Sequence, residues 1–283
     1  MIDIHNLSNL SQYANFETYP YGEKHIILYD DHRCVLTVLF EAYKLGIIND
    51  MTNLVTFDRH DDAKPMHPNT EEMLKALTKS NLSEISSRDF KSFVEFDISE
   101  YDDDWVKIGM EMRLINNIIN IGCEENFNIS DWKSNSYESK SGKKHLGFVI
   151  GHLSSELNIH GGRIGDLSLH EYDPIREIIG YSQHGPSLPS IDDTSNFVLD
   201  FDLDCFTTTC MDKRFAWPED VFRKEYYGES ASSFFLYQLI QKSKFITICR
   251  EPSYCGGIGE ANKILGYLDH YLFGGCLGTQ AIS

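Results

Sequence analysis

Short apolar runs alternate with segments of helical periodicity along most of this chain. The helical segments lie at 35–45, 69–77, 104–115, 230–242 and 259–272. The apolar runs are HIILYD (25–30), NLVTFD (53–58), IINIGC (118–123), HLGFVIG (145–151), NFVLDFDL (196–203) and FITICR (245–250). Unbroken apolar runs between helices are typical of a parallel sheet that is covered on both faces. The sequence therefore predicts an α/β fold with three layers, αβα, and a largely parallel sheet.

The domain organisation is inferred from the segments that lie between the predicted strands and helices. No linker rich in proline, glycine or serine divides the 283 residues, which predicts a single domain over 1–283. The polar stretch KSNSYESKSGKK (133–144) indicates an exposed loop, and 151–195 holds many glycine, serine, histidine and aspartate residues without a period. A long irregular segment of that kind is often a functional loop. The helix at 69–77 is expected to take Asn69 or Thr70 as its N-cap.

The charge of the chain narrows the class of partner only weakly, because a solubilised surface explains the charge equally well. With 43 acidic and 25 basic residues, the formal net charge is −18. Such a field repels DNA and RNA and attracts divalent metals, amines, guanidinium groups and basic peptides. No apolar run approaches the roughly 20 residues that cross a bilayer, the start MIDIHNLSNL lacks the features of a signal peptide, and the seven cysteines are scattered. We expect a reduced, cytoplasmic protein without nucleic-acid or membrane partners, and homo-oligomer formation stays open.

Acidic and imidazole side chains follow the ends of four predicted strands. In an open parallel sheet, the ligand site lies beyond the carboxyl ends of the strands. Side chains delivered there by several strands would form one acidic pocket. They are Asp30, Asp31 and His32 after the first strand, Asp58, His60 and Asp62 after the second, Asp200, Asp202 and Asp204 in the fifth, and Glu251 after the sixth.

The spacing of these residues suits metal ligation. In extended backbone, residues i, i+2 and i+4 share a face, so Asp58, His60 and Asp62 would project together, as would Asp202 and Asp204. Carboxylate oxygens with one or two imidazoles suit Mn²⁺ or a similar cation, whereas structural zinc sites use thiolates. Two divalent ions about 3.5–4 Å apart would keep the carboxylates ionised and activate a hydroxide between them.

Each part of the pattern has an ordinary alternative. An isolated Asp-x-Asp is often a turn or a helix cap, and His32 alone is more often a hydrogen-bonded histidine than a ligand. VLDFDLDCFTTT also resembles the start of haloacid-dehalogenase-type phosphatases, in which the first Asp is a nucleophile and Mg²⁺ assists. That family needs a later acidic pair, but no Asp-Asp or Gly-Asp-x-x-x-Asp run follows Asp204. The phosphatase hypothesis also leaves DRHDD unexplained, and it ranks second among enzymes.

The same residues resemble the motifs of a known superfamily. Asp58-Arg-His60-Asp-Asp62 is similar to the Asp-x-His-x-Asp motif of the arginase/agmatinase/deacetylase (ureohydrolase) superfamily. DFDLD resembles its second metal motif, and DDHR its earlier Asp-His motif. VLDFDLDCF and REPSYCGG are most like the branch that contains peptide arginases of ribosomal-peptide pathways. Those enzymes convert arginine within a peptide to ornithine, with release of urea.

The resemblance implies an arginase/deacetylase-like fold, two Mn²⁺ ions (with other divalent ions as alternatives) and an arginine-containing peptide as substrate. The implied ligands are His32, Asp58, Asp62 and Asp202 for one ion, and His60, Asp58, Asp202 and Asp204 for the other. Asp62 would also orient the hydroxide, and Glu251 would hold the substrate guanidinium. For the catalytic proton transfer, the resemblance favours His160, with His67 as the alternative.

The sequence also departs from the superfamily at several positions. Lys64 stands where arginases carry an Asn that contacts the carboxylate of free arginine, and Tyr29-Asp30 replaces a glycine pair. Asp200 replaces a small residue, as a structural acid or as support for the ligands. Loss of the contacts to a free amino acid favours a peptide substrate. The alternatives are a free-arginine arginase, an agmatinase-like enzyme, a deacetylase, or an inactive protein that binds a basic peptide.

Overall fold

The computed structural model describes residues 4–13, 15–99, 104–122, 136–150, 153, 181–182, 190–191, 196–228 and 231–279. The strands are β1 (Glu17–Tyr21), β2 (Lys24–Tyr29), β3 (Thr52–Phe57), β4 (Ile115–Ile121), β5 (Ser136–Glu138), β6 (Lys144–Ile150), β7 (Tyr181–Ser182), β8 (Ser190–Ile191), β9 (Phe197–Asp202), β10 (Thr207–Cys210), β11 (Lys213–Ala216) and β12 (Ile246–Cys249). The α-helices are α1 (Cys34–Lys44), α2 (Pro68–Leu77), α3 (Ser87–Phe96), α4 (Trp105–Glu111), α5 (Glu219–Tyr226), α6 (Ala231–Lys242), α7 (Pro252–Cys255) and α8 (Ile258–Tyr267). Short 3₁₀ helices span Ile4–Gln12, Leu82–Glu84 and Leu203–Phe206, and a π-helix spans Leu268–Leu272.

One large sheet organises the chain. Its eight strands lie in the order β1-β2-β12-β9-β3-β4-β6-β5. The six inner strands pair in parallel, whereas β1 and β5 pair antiparallel to their neighbours at the two edges. The predicted largely parallel sheet is therefore confirmed, and its parallel strands share one carboxyl edge.

The two faces of the sheet carry separate hydrophobic cores. Alternate residues of a strand point to opposite faces, and Ile26 and Leu28 of β2 belong to one core whereas Ile27 and Tyr29 belong to the other. The first core includes buried side chains of α5, α6 and α8, and the second includes those of α1, α3 and α4. Helices thus flank the sheet, an arrangement compatible with the predicted αβα layers.

The predicted strands are present, with ends shifted by at most three residues, but other local predictions differ from the structure. Within 133–144, Ser136–Glu138 forms the edge strand β5, so that stretch is not simply a loop. The helix predicted at 104–115 ends at Glu111 because Ile115 already begins β4. No helix among the described residues is both long and apolar enough to cross a membrane.

The N-cap prediction for α2 is wrong. This helix begins at Pro68, and the cap is His67, whose Nδ1 accepts a hydrogen bond from the backbone N–H of Asn69 at 3.2 Å. Proline is favoured in the first turn because it lacks the N–H that would stay unpaired there, and it moves the helix start one residue earlier than expected.

Candidate metal centre

Four adjacent strands bring the candidate ligands to one edge of the sheet. The order β2-β12-β9-β3 places the carboxyl ends of these parallel strands side by side. Asp202 is the last residue of β9, Asp58 directly follows β3, and Glu251 lies two residues beyond β12. His32 lies three residues beyond β2. The side chains that the sequence places at separate strand ends are therefore neighbours in space.

These side chains form two groups that share Asp58. In the first, His32 Nδ1 lies 3.6 Å from Asp58 Oδ2 and 3.3 Å from Asp202 Oδ2. In the second, His60 Nδ1 lies 3.1 Å from Asp204 Oδ2 and 4.0 Å from Asp58 Oδ1. Within each group, the potential ligand atoms all lie within 4.8 Å of one another, close enough to contact a common ion.

Two buried polar atoms of these groups make no hydrogen bond within the described part of the chain. They are His32 Nδ1 and Asp204 Oδ1. The His32 nitrogen lies within ion-pair distance of three carboxylates without forming a hydrogen bond to any of them. A buried polar atom left unpaired costs about 1–3 kcal/mol. A cation coordinated by these atoms would remove that cost, so the residues present fit a metal ion.

Asp62 joins the first group by a route that the sequence did not predict. Because β3 ends at Phe57, the expectation that residues 58–62 share a face of an extended strand is wrong. Asp62 instead adopts a left-handed conformation with φ of 46°. Its Oδ2 accepts a hydrogen bond of 2.6 Å from the indole of Trp105 and lies 3.0 Å from His32 Nδ1. The backbone therefore turns at Asp62, and the hydrogen bond from Trp105 holds the carboxylate beside the other cluster residues.

Burial among like charges shifts the pKa values of the cluster. Burial and the adjacent carboxylates raise the pKa of Asp58 well above its usual value. Burial, together with the charge of Asp204, raises the pKa of Asp202 to about 7. Burial alone would lower the pKa of His32, but the charges of Asp200 and Asp202 outweigh it and raise that pKa well above its usual value. Without a cation, the cluster therefore retains protons that a divalent ion would replace.

Asp200 is a fully buried carboxylate with four polar contacts. Its Oδ2 lies 2.9 Å from His32 Nε2 and accepts a hydrogen bond from Thr56 at 2.8 Å. Its Oδ1 accepts from Thr247 at 2.6 Å and from the Tyr29 hydroxyl at 3.2 Å. Burial opposes the ionised form, but the His32 charge and these hydrogen bonds outweigh it and lower the pKa of Asp200. Unlike Asp58 and Asp202, it is therefore ionised without any metal.

Sequence reasoning missed two further polar contacts to the second group. Arg214 of β11 has its guanidinium 3.3 Å from Asp204 Oδ2, and it also donates to the backbone carbonyl of Tyr254 at 2.9 Å. The amide of Asn120, in β4, donates a hydrogen bond to the backbone carbonyl of His60. Arg214 could not be anticipated because the β10–β11 hairpin that carries it had no strand signal of its own.

The remaining predicted residues have different positions. Glu251 is buried, with φ of 31°, and its carboxylate accepts a hydrogen bond from the backbone N–H of His32 at 3.3 Å. It therefore lies beside the first group. His67 is exposed, and its ring caps α2. Among the described residues, no hydrogen bond joins it to the cluster. His160 lies outside the described residues.

Two comparisons with known proteins identify no family for this chain. Neither a scan against protein-family models nor a search of curated proteins finds a match to the sequence. The chain itself shows two buried groups of aspartate and histidine, His32/Asp58/Asp202 and Asp58/His60/Asp204, which could hold metal ions. Carboxylate and imidazole donors of this kind suit hard to borderline divalent cations.

Proposed function

We propose that the chain is a dinuclear-metal hydrolase that converts arginine within a peptide to ornithine and releases urea. The observation that carries this proposal is the sharing of Asp58 between two ligand groups at one sheet edge. A carboxylate with one oxygen towards each group can bridge two ions, which is the arrangement used to activate water for hydrolysis. The motif resemblance to peptide arginases supplies the substrate class.

The proposed reaction assigns a role to several residues of the chain. When bound, divalent ions, Mn²⁺ first among them, would lower the pKa of water and stabilise charge on the reacting group. Asp62, whose carboxylate accepts a hydrogen bond from the Trp105 indole, would orient that water and accept its proton. Trp105 is fully buried and also packs against His32. Glu251, beside His32, would hold the substrate guanidinium by charge-assisted hydrogen bonds.

The reaction balances as a simple hydrolysis. Water adds to the guanidinium carbon, the bond from that carbon to the side-chain nitrogen breaks, and the nitrogen leaves as the ornithine amine with urea as the second product. The departing nitrogen must gain a proton, for which an imidazole is suited. His160 is the proposed donor. His67 is the alternative, although its Nδ1 is engaged in capping α2 and leaves Nε2 for proton transfer.

A peptide is favoured over free arginine for two reasons. Lys64 is exposed and stands where arginases carry the residue that contacts a free amino acid. The net charge of −18 also favours a basic peptide as the approaching substrate. The phosphatase hypothesis is weaker because it gives no role to His32 and Asp58, whose side chains lie next to Asp202.

The first experiment is an assay of Mn²⁺-loaded protein on a capped peptide with one internal arginine and, separately, on free L-arginine. Mass spectrometry would detect ornithine, and a colorimetric test would detect urea. Conversion of the peptide alone is the expected result, and conversion of free arginine alone would replace the peptide proposal with an arginase. Protein that binds Mn²⁺ but converts neither would direct the search to deacetylation and other amide hydrolysis. Protein that binds no divalent ion would overturn the hydrolase proposal.

A further inference from the structure

The strongest unassigned feature is the set of contacts around Asp200. Parallel pairing places Thr56 of β3 and Thr247 of β12 level with Asp200 of β9, so all three lie in one row across the sheet. Both threonine hydroxyls reach the carboxylate, and the Tyr29 hydroxyl reaches it from β2. The side chain of Asp200 is completely buried. Side chains of three other strands, β2, β12 and β3, thus converge on one acidic group of β9 that is not among the candidate ligands.

The chemistry of these groups fixes which atoms carry hydrogen. The two oxygens of Asp200 receive four polar contacts, and each is a contact in which a carboxylate oxygen can be the acceptor. Three of the four neighbours of Asp200 are hydroxyl groups, which can rotate to donate. The fourth is His32 Nε2, at 2.9 Å, which completes this set of donors when the nitrogen carries a hydrogen. When the ring is neutral, its lone pair is then on Nδ1, the atom that faces Asp58, Asp62 and Asp202.

We propose that Asp200 is a positioning residue that selects the Nε2–H tautomer of His32 and so presents Nδ1 to the metal. This inference rests on the proposed function in one respect, since it takes His32 to be a metal ligand. A carboxylate that receives the second ring nitrogen of a ligating histidine fixes both the orientation and the tautomer of the ring, and removal of such a partner typically costs about 10- to 100-fold in metal affinity.

The neighbours of Asp200 explain why the carboxylate itself stays in place. Each oxygen receives two of the four contacts, so rotation about the side-chain bonds would break hydrogen bonds on both. The ring of His32 also packs against Trp105, with ring centroids 4.8 Å apart and ring planes tilted by 56°. The imidazole therefore has a hydrogen-bond partner at Nε2 and an aromatic packing partner, and Nδ1 points to the ligand group.

Nitrogen NMR of histidine-labelled protein tests this directly, with the resonances of His32 assigned by their loss in His32→Gln. In wild-type protein loaded with the diamagnetic ion Zn²⁺, we expect a hydrogen on Nε2 and none on Nδ1. In Asp200→Asn, we expect the Nε2–H form to be lost or mixed and the affinity for Mn²⁺ to fall about 10- to 100-fold. Thr247→Val is the matched control, because it removes a hydroxyl from Asp200 but leaves the His32 contact.

The outcomes separate this inference from the proposed function. A hydrogen on Nδ1 of neutral His32, with none on Nε2, would overturn the inference, and wild-type protein suffices to show it even if Asp200→Asn does not fold. An equal loss of Mn²⁺ affinity in Thr247→Val would also overturn it, since packing alone would then account for the effect. Wild-type protein that binds no ion, but keeps a hydrogen-bonded proton on Nε2, would reject the hydrolase and the presentation of Nδ1 to a metal, and would leave intact only the selection of the Nε2–H form by Asp200.

Discussion

The metal-free protein should lose stability as the pH rises towards neutrality. Asp202 has an ordinary pKa of 3.8, and in the folded chain this pKa is about 7. Between these values the folded protein binds a proton that the unfolded chain has released, so the free energy of unfolding falls with increasing pH. Each pKa unit corresponds to 1.36 kcal/mol, and a shift of roughly three units therefore removes up to about 4 kcal/mol.

Other groups of the cluster act in the same direction. The raised pKa of Asp58 adds to the decrease in the free energy of unfolding as the pH rises above the ordinary aspartate value. The raised pKa values of His32 and His60 add a loss that begins near 6.5 and continues above it. Asp200, with its lowered pKa, contributes stability that is already complete above its ordinary value of 3.8. No group of the cluster with a shifted pKa thus offsets the fall between pH 4 and neutrality.

Divalent ions should reverse this trend. Metal must displace the protons of the ligands, so its affinity rises with pH. An ion present at 100 times its Kd stabilises the folded state by about 2.7 kcal/mol. We therefore expect Mn²⁺ to raise the free energy of unfolding more at pH 8 than at pH 5.

Urea unfolding followed by tryptophan fluorescence, in a chelator and in Mn²⁺ at several pH values, measures both effects. Asp202→Asn is the matched control, because an amide does not titrate. It should flatten the metal-free pH dependence and abolish metal binding. Metal-free stability that is constant or rises between pH 5 and pH 8 would refute the account of the cluster as a set of buried, protonated carboxyl groups.

Three further substitutions test separate parts of the site. Glu251→Gln should leave the metal content unchanged, measured by elemental analysis, and block turnover; a metal-free variant would mean that Glu251 is a ligand. Trp105→Phe removes the hydrogen bond to Asp62 and should lower the free energy of unfolding by about 1–3 kcal/mol and the Mn²⁺ affinity by about 10- to 100-fold. Gly256→Ala should destabilise the protein more than Gly257→Ala in thermal melts. Both glycines have positive φ, but a Cβ at Gly256 would lie 2.1 Å from a backbone oxygen of β11, whereas at Gly257 it meets nothing within 4 Å.

The sequence could predict that the candidate ligands lie close together, because their proximity depends on the parallel arrangement of the strands and not on detailed geometry. Once strands are parallel, their carboxyl ends share an edge, whatever their order in the sheet. Local apolar pattern was enough to locate β3 and β9, and hence Asp58 and Asp202. The order β2-β12-β9-β3 was not needed for the prediction, and sequence pattern does not contain it.

What the sequence did not reveal depends on contacts between distant segments. Asp200 is anchored by Tyr29, 171 residues earlier, and by Thr247, 47 residues later. Arg214 reaches Asp204 from a hairpin whose strands have only four residues each, too short for a recognisable apolar period. The error in the segment 58–62 has a local cause: the two-residue period was extended past the end of β3, where a left-handed residue turns the chain.

Under the proposed function, the charge of the cluster would favour two ions over one. Asp58, Asp62, Asp202 and Asp204 are each no more than 6 % exposed. The guanidinium of Arg214, 3.3 Å from Asp204 Oδ2, balances one of their four negative charges, so one divalent ion would leave one of the four unbalanced. Unit charges 4 Å apart repel by about 4 kcal/mol at the effective dielectric of a protein surface. His32 cannot supply the missing charge while its Nδ1 ligates an ion, and the proton on Nε2 is directed at Asp200. Two divalent ions together with Arg214 would balance the four carboxylates and one hydroxide, while Asp200 accepts hydrogen bonds from the hydroxyl groups of Tyr29, Thr56 and Thr247.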